Sequence, residues 1–74
     1  MSWFITWDRV EYREWASEIT KGYLLLIIRK ETDGYLCVKA ELIMKERGLP
    51  DFKVIEEHNF PTQQEADKQI LDWK

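Results

Sequence analysis

The chain has 74 residues, 45% hydrophobic and 34% charged, and its 14 acidic against 11 basic side chains leave a formal charge of -3. A single cysteine and a single histidine exclude a disulfide framework and a tetrahedral zinc site built within the chain. The acidic balance, with no run of lysine or arginine, speaks against a module that holds nucleic acid by neutralising phosphates. A domain this short has room for one small core with a margin of about 3–5 kcal/mol, so close packing or association with a second chain must supply its stability.

Five of the ten aromatic residues, Trp3, Phe4, Trp7, Tyr12 and Trp15, fall in the first fifteen positions. So much apolar bulk in a terminal segment reads either as a structural lid or as a docking surface. Residues 8–21 admit two readings. As a helix, Asp8 is the N-cap, Glu11 sits at N3, and Tyr12, Trp15, Ala16 and Ile19 share a face up to a stop at Gly22. As strands, Trp3, Ile5 and Trp7 alternate with Phe4, Thr6 and Asp8, and Trp15, Ser17 and Ile19 alternate into a tight turn at Lys21 and Gly22. The like-charge pairs Arg9/Arg13 and Glu14/Glu18 weigh against the helix.

Tyr23 to Ile28 is continuously apolar and predicts a central strand covered on both faces. The stretch Glu31, Thr32, Asp33, Gly34 turns the chain into Tyr35 to Met44, where Leu36, Val38, Ala40, Leu42 and Met44 alternate with Cys37, Lys39 and Glu41, completing a hairpin. Gly48, Pro50 and Asp51 mark a loop, and Phe52 to Phe60 resumes a strand whose Glu56, Glu57 and His58 suit the edge of a sheet. Thr62, Gln63, Gln64 and Glu65 after Pro61 form a capping box, and Ala66, Ile70 and Trp73, with Leu71 beside them, give the following helix one apolar stripe. The chain therefore reads as one α+β domain over 1–74: an antiparallel meander of three or four strands with a C-terminal helix, 62–73, on one face.

The order of an aromatic opening strand, strands beginning Gly22-Tyr23 and Gly34-Tyr35, a strand ending at Phe60, and a helix opened by Pro61-Thr62-Gln63-Gln64-Glu65-Ala66 resembles a broad set of small uncharacterised proteins of bacteriophages, prophages and mobile elements. That resemblance, over residues 12–73, implies the meander-and-helix fold and a general role in binding and modulating host proteins. It names no target and carries over no site residues. The long aromatic stretch Trp3 to Tyr12 departs from that plan.

Catalysis finds little to work with. The only nucleophile and base pairing that involves a thiol is Cys37 with His58; Cys37 lies between Leu36 and Val38 and reads as core, and His58 reads as a solvated edge residue. The carboxylate pairs Glu56/Glu57, Glu65/Asp67 and Glu31/Asp33 lack an apolar pocket to shift a pKa. Three scattered glycines, Gly22, Gly34 and Gly48, do not make a phosphate loop. Neither cofactor nor metal nor small-molecule substrate is indicated.

The expected function is non-enzymatic protein binding, through a partner or a homodimer, with Trp3, Trp7, Tyr12, Trp15 and Tyr35 as candidate binding residues because Tyr and Trp dominate interface centres. A nucleic-acid module and a homodimer without separate activity are the alternatives. A lone cysteine, no visible export signal and no apolar run near ~20 residues read as a cytoplasmic protein without a membrane segment.

Overall fold

The computed structural model describes residues 2–74. Five strands, β1 (Phe4–Asp8), β2 (Tyr12–Ile19), β3 (Gly22–Glu31), β4 (Gly34–Ile43) and β5 (Asp51–Phe60), form one antiparallel sheet in chain order, and helix α1 (Gln63–Trp73) follows. The meander and the C-terminal helix agree with the sequence reading, with five strands in place of three or four. The additional strand is β2, from the segment left open between helix and strand; the opening strand β1 pairs with it from Phe4↔Ala16 to Asp8↔Arg13 across a bulge between Ile5 and Trp7.

The ambiguous segment 8–21 resolves into the end of β1 at Asp8, a tight connection over 9–11, strand β2 and the turn at 20–21. An unbroken ladder from Tyr12↔Arg29 to Ile19↔Gly22 joins β2 to the apolar β3, satisfying the backbone while burying Trp15, Ala16 and Ser17. A lone helix would have carried the like-charge pairs noted above and buried only one stripe. The turn that follows is centred on Thr20 and Lys21, and Lys21 takes the left-handed conformation with φ 67°. Gly22 is instead the first residue of β3, and it is glycine for closeness: a Cβ there would lie 2.0 Å from the Leu42 carbonyl oxygen.

Strand alternation divides the side chains between two faces. On one, α1 packs across β3, β4 and β5. Its core consists of Trp15, Leu26, Ile28, Cys37, Ala66 and Ile70, with Trp3, Tyr35, Phe60 and Trp73 packed partly buried around it. Thr62 caps the start of this helix as expected, its hydroxyl accepting from the Glu65 backbone N–H at 3.3 Å. Ala66 and Ile70 face the sheet, whereas Leu71 is 69% exposed and lies off the stripe.

No described element covers the other face. The expectation that Tyr23 to Ile28 would be covered on both sides is met on one only, by α1 over Leu26 and Ile28. On the opposite face Ile27, Val38 and Ala40 form a second small cluster with Tyr12 and Leu36 against it.

Candidate functional site

The open face is read most simply as rows across the strands. Phe4, Ala16, Leu25, Ala40 and Val54 are successive register partners from β1 to β5. The next row runs Trp7, Glu14, Ile27, Val38, Glu57, and on the other side lie Glu18, Tyr23, Leu42 and Phe52. Ala16, Leu25, Ile27, Val38 and Ala40 thus make an aliphatic centre, with Tyr23, Leu42, Glu14 and Glu18 around it and the aromatic Phe4, Trp7 and Phe52 on the edge strands. The central residues Ala16, Leu25, Ile27, Val38 and Ala40 are buried although no element lies over them, while Phe4 and Phe52 on the edge strands are 49% and 54% exposed. Burial without cover requires walls, so this face is a trough with a floor made by β2, β3 and β4.

Part of this trough is an open cavity of about 520 Å³, reached by side chains from all five strands: Phe4 and Thr6, Glu14 and Ala16, Tyr23 and Leu25, Leu42, and Phe52. A second depression of about 290 Å³ continues it past Phe52 toward Ile27, Val38 and Arg29. Phe4 stands edge-on to Tyr23, with ring centroids 6.4 Å apart. That T-shaped arrangement holds one wall in place.

Several polar groups on this face are already paired with one another. Glu14, the carboxylate nearest the floor, accepts from the Tyr12 hydroxyl at 2.8 Å and from the Thr6 hydroxyl. Burial first, and the bond to Glu14 second, push the Tyr12 phenol up to about 12, so it remains a donor throughout the physiological range. Arg29 is paired with Glu31 at 3.0 Å. An apolar occupant could cover the floor without orphaning these groups.

The five aromatic residues expected to bind a partner do not form one patch. Trp15 is 8% exposed in the core beneath α1, with the Arg13 guanidinium 5.0 Å and the Lys74 ammonium 4.6 Å from its ring. Trp3 and Tyr35 pack against that same core and belong to the helix side of the sheet. Tyr12 lies on the open face and is half-buried at the end of the trough. Trp7 sits at the β1 edge, 52% exposed, with Arg9 5.8 Å from its ring. Period-two alternation sends neighbouring residues of β1 and β2 to opposite faces, so aromatic density along the chain does not become aromatic density in space. The surface residues that counting aromatics missed are Phe4, Leu42, Phe52 and Val54. The signal for them was present in the uninterrupted Tyr23 to Ile28 run, whose second face asked for a cover that the described residues do not supply.

Cys37 and His58 are register partners on the helix side. The thiol is fully buried and donates to the Ala66 carbonyl at 3.5 Å, and burial above all, with the Asp67 carboxylate adding, pushes it up to about 11. His58 packs its ring 6.0 Å from Trp73 and lies 3.9 Å from Glu56, half-exposed. A thiolate nucleophile is therefore not on offer at neutral pH. Iodoacetamide at pH 7.5 is expected to label Cys37 at the rate of global unfolding and no faster, as read by intact mass against time in the presence and absence of denaturant. Because the folded thiol titrates above its unfolded value of about 9, its protonated form favours the fold: the contribution is full below pH 9 and is lost as pH rises through 11.

Among the described residues no group of three or more His, Cys, Asp and Glu side chains is placed to hold a metal ion, and no helix is long and apolar enough to cross a membrane. The fold and this surface define a small α+β chain with one helix-covered and one uncovered sheet face. Comparison with family models, with curated proteins and with solved structures finds no match.

Proposed function

We propose that the protein is a non-enzymatic protein-binding module whose docking surface is the sheet face opposite α1. One observation carries this reading: Phe4, Phe52 and Val54, each between 45% and 54% exposed, flank an apolar floor that none of the described residues covers. Contiguous apolar surface walled by aromatic side chains is costly to leave in water and is characteristic of interaction sites. Absence of an activated nucleophile supports a binding role over a catalytic one, and the acidic surface supports a protein partner over nucleic acid. The resemblance to phage and mobile-element proteins adds that the partner belongs to a host cell.

Phe4 and Phe52 are each about half in water, so replacing both by Ser is expected to cost about 1.5–3 kcal/mol, and circular dichroism of the double variant checks that it stays folded under the capture conditions. Quantitative affinity capture with the parent and the double variant tests the proposal. A stoichiometric protein partner should be enriched by the parent and lost with the variant, while Leu71→Ser on the solvent side of α1 retains it. Retention of every partner by the double variant would remove the open face from the function.

A further inference from the structure

The shape and charge of the trough restrict what can fill it; this step rests on the open face being the docking surface. We propose that its occupant is a single amphipathic α-helix of a partner protein, apolar along one stripe and flanked by lysine or arginine.

Three observations lead there. The trough follows β3 from Tyr23 through Leu25 and Ile27 to Arg29, six residue steps or about 20 Å at strand rise. That length equals about 13 residues of helix, just under four turns. Across the sheet, Phe4 of β1 and Phe52 of β5 line the same cavity, and the Phe4 ring reaches in to the Tyr23 ring of β3. A recess of that form takes the side chains along one stripe of a single helix, not a second layer of sheet.

Concavity also argues against a second copy packed face to face. Sheets pack when their inner faces interdigitate at about 10 Å. Here the floor is recessed behind walls in both copies, so two such faces would meet at their rims and leave a void between the floors, forfeiting the contacts that stabilise an interface. Nor can α1 of a neighbouring copy serve, because its outward side carries Gln64, Glu65, Lys68 and Asp72 with Leu71 as its single large apolar residue.

Charge supplies the flanks. Glu14 and Glu57 lie in the same register row on opposite sides of Ile27 and Val38, and Glu18 borders the Tyr23 end. Of the cations of this region, Arg29 stands at the far end of the trough paired with Glu31, and Arg9 lies over Trp7 at the β1 edge. A helix whose apolar stripe meets the floor places its flanking positions at these carboxylates, so basic flanks are attracted, acidic ones are repelled, and the sign discriminates among otherwise similar helices.

Two synthetic 14-residue peptides provide the test, both with Leu at i, i+3, i+4, i+7 and i+11, one with Lys and the other with Glu at the remaining positions. Titrated into the ¹⁵N-labelled full chain, the Lys peptide should shift the amides of Ala16, Leu25, Ile27, Val38 and Ala40 and bind at least tenfold tighter than the Glu peptide. The double variant Glu18→Gln/Glu57→Gln should reduce that preference at least threefold while keeping the same perturbed residues. Equal affinity for the two peptides, shifts confined to the helix side, or a stable peptide-free dimer with these amides at its interface would each overturn the proposal. If neither peptide binds yet a captured partner depends on Phe4 and Phe52, the helix is wrong and the docking surface stands. If capture is also indifferent to Phe4 and Phe52, both readings fall.

Discussion

Trp15→Ala is expected to leave most of the protein unfolded at 25 °C. The indole is 8% exposed within the core made with Leu26, Ile28, Cys37, Ala66 and Ile70. Truncating a buried Trp to Ala typically costs about 3–5 kcal/mol, from lost transfer energy and from the cavity left behind. A chain of this length has a margin of about the same size. Two cations, on Arg13 and Lys74, also lie over the ring and lose that attraction. Urea unfolding followed by circular dichroism measures the effect. Trp7→Ala is the matched control: its ring is 52% exposed and should change the midpoint little, by roughly 0.5 kcal/mol or less. Equal behaviour of the two variants would contradict the assignment of Trp15 to core and Trp7 to surface.

Gly34→Ala should be strongly damaging, because it combines a main-chain clash with an unfavourable backbone conformation. Gly34 opens β4 with φ 153°, a backbone conformation that side-chain-bearing residues rarely adopt, and a Cβ there would stand 2.3 Å from the Phe60 carbonyl oxygen. Backbone strain of this kind costs about 1–3 kcal/mol before any displacement of neighbours. The obstacle is main chain, so it can recede only by moving the end of β5 and with it Pro61 and the Thr62 cap. We expect a loss of about 2–4 kcal/mol by thermal unfolding, and a weaker helical signal at 222 nm below the midpoint as α1 loosens from the sheet. Gly48→Ala is the comparison. Gly48 also has positive φ, 86°, but no neighbour lies within 4 Å of a Cβ, so it carries conformational strain without the clash. A Gly34 variant no worse than the Gly48 variant would show that the contact with Phe60 does not matter.

Much of the architecture was legible along the chain because its signals are local. The capping box at Thr62 marked the start of α1, the Gly34 turn marked a hairpin, and the glutamates of β5 marked a sheet edge. Each expresses a short-range requirement: an unpaired N–H to satisfy, a turn to make, an unpaired ladder to protect. Segment 8–21 was not legible. Its spacing satisfies both periodicities for several residues, and only the partner strand β3, contributing a ladder from Tyr12 to Ile19, decides between them.

Candidate binding residues followed the same division. Trp3, Trp7, Tyr12, Trp15 and Tyr35 were chosen by residue type and nearness in sequence, and the pleat then distributed them between the core under α1, the β1 edge and the trough. Phe4, Leu42 and Phe52 come from strands far apart in the chain and meet only when the meander closes. By itself, then, the sequence determined the class of fold, the place of the helix and the presence of more apolar surface than one helix can cover, since these depend on neighbours along the chain. Tertiary structure alone decided which face stays open and that it is a trough rather than a flat sheet, because both depend on register and curvature across five strands.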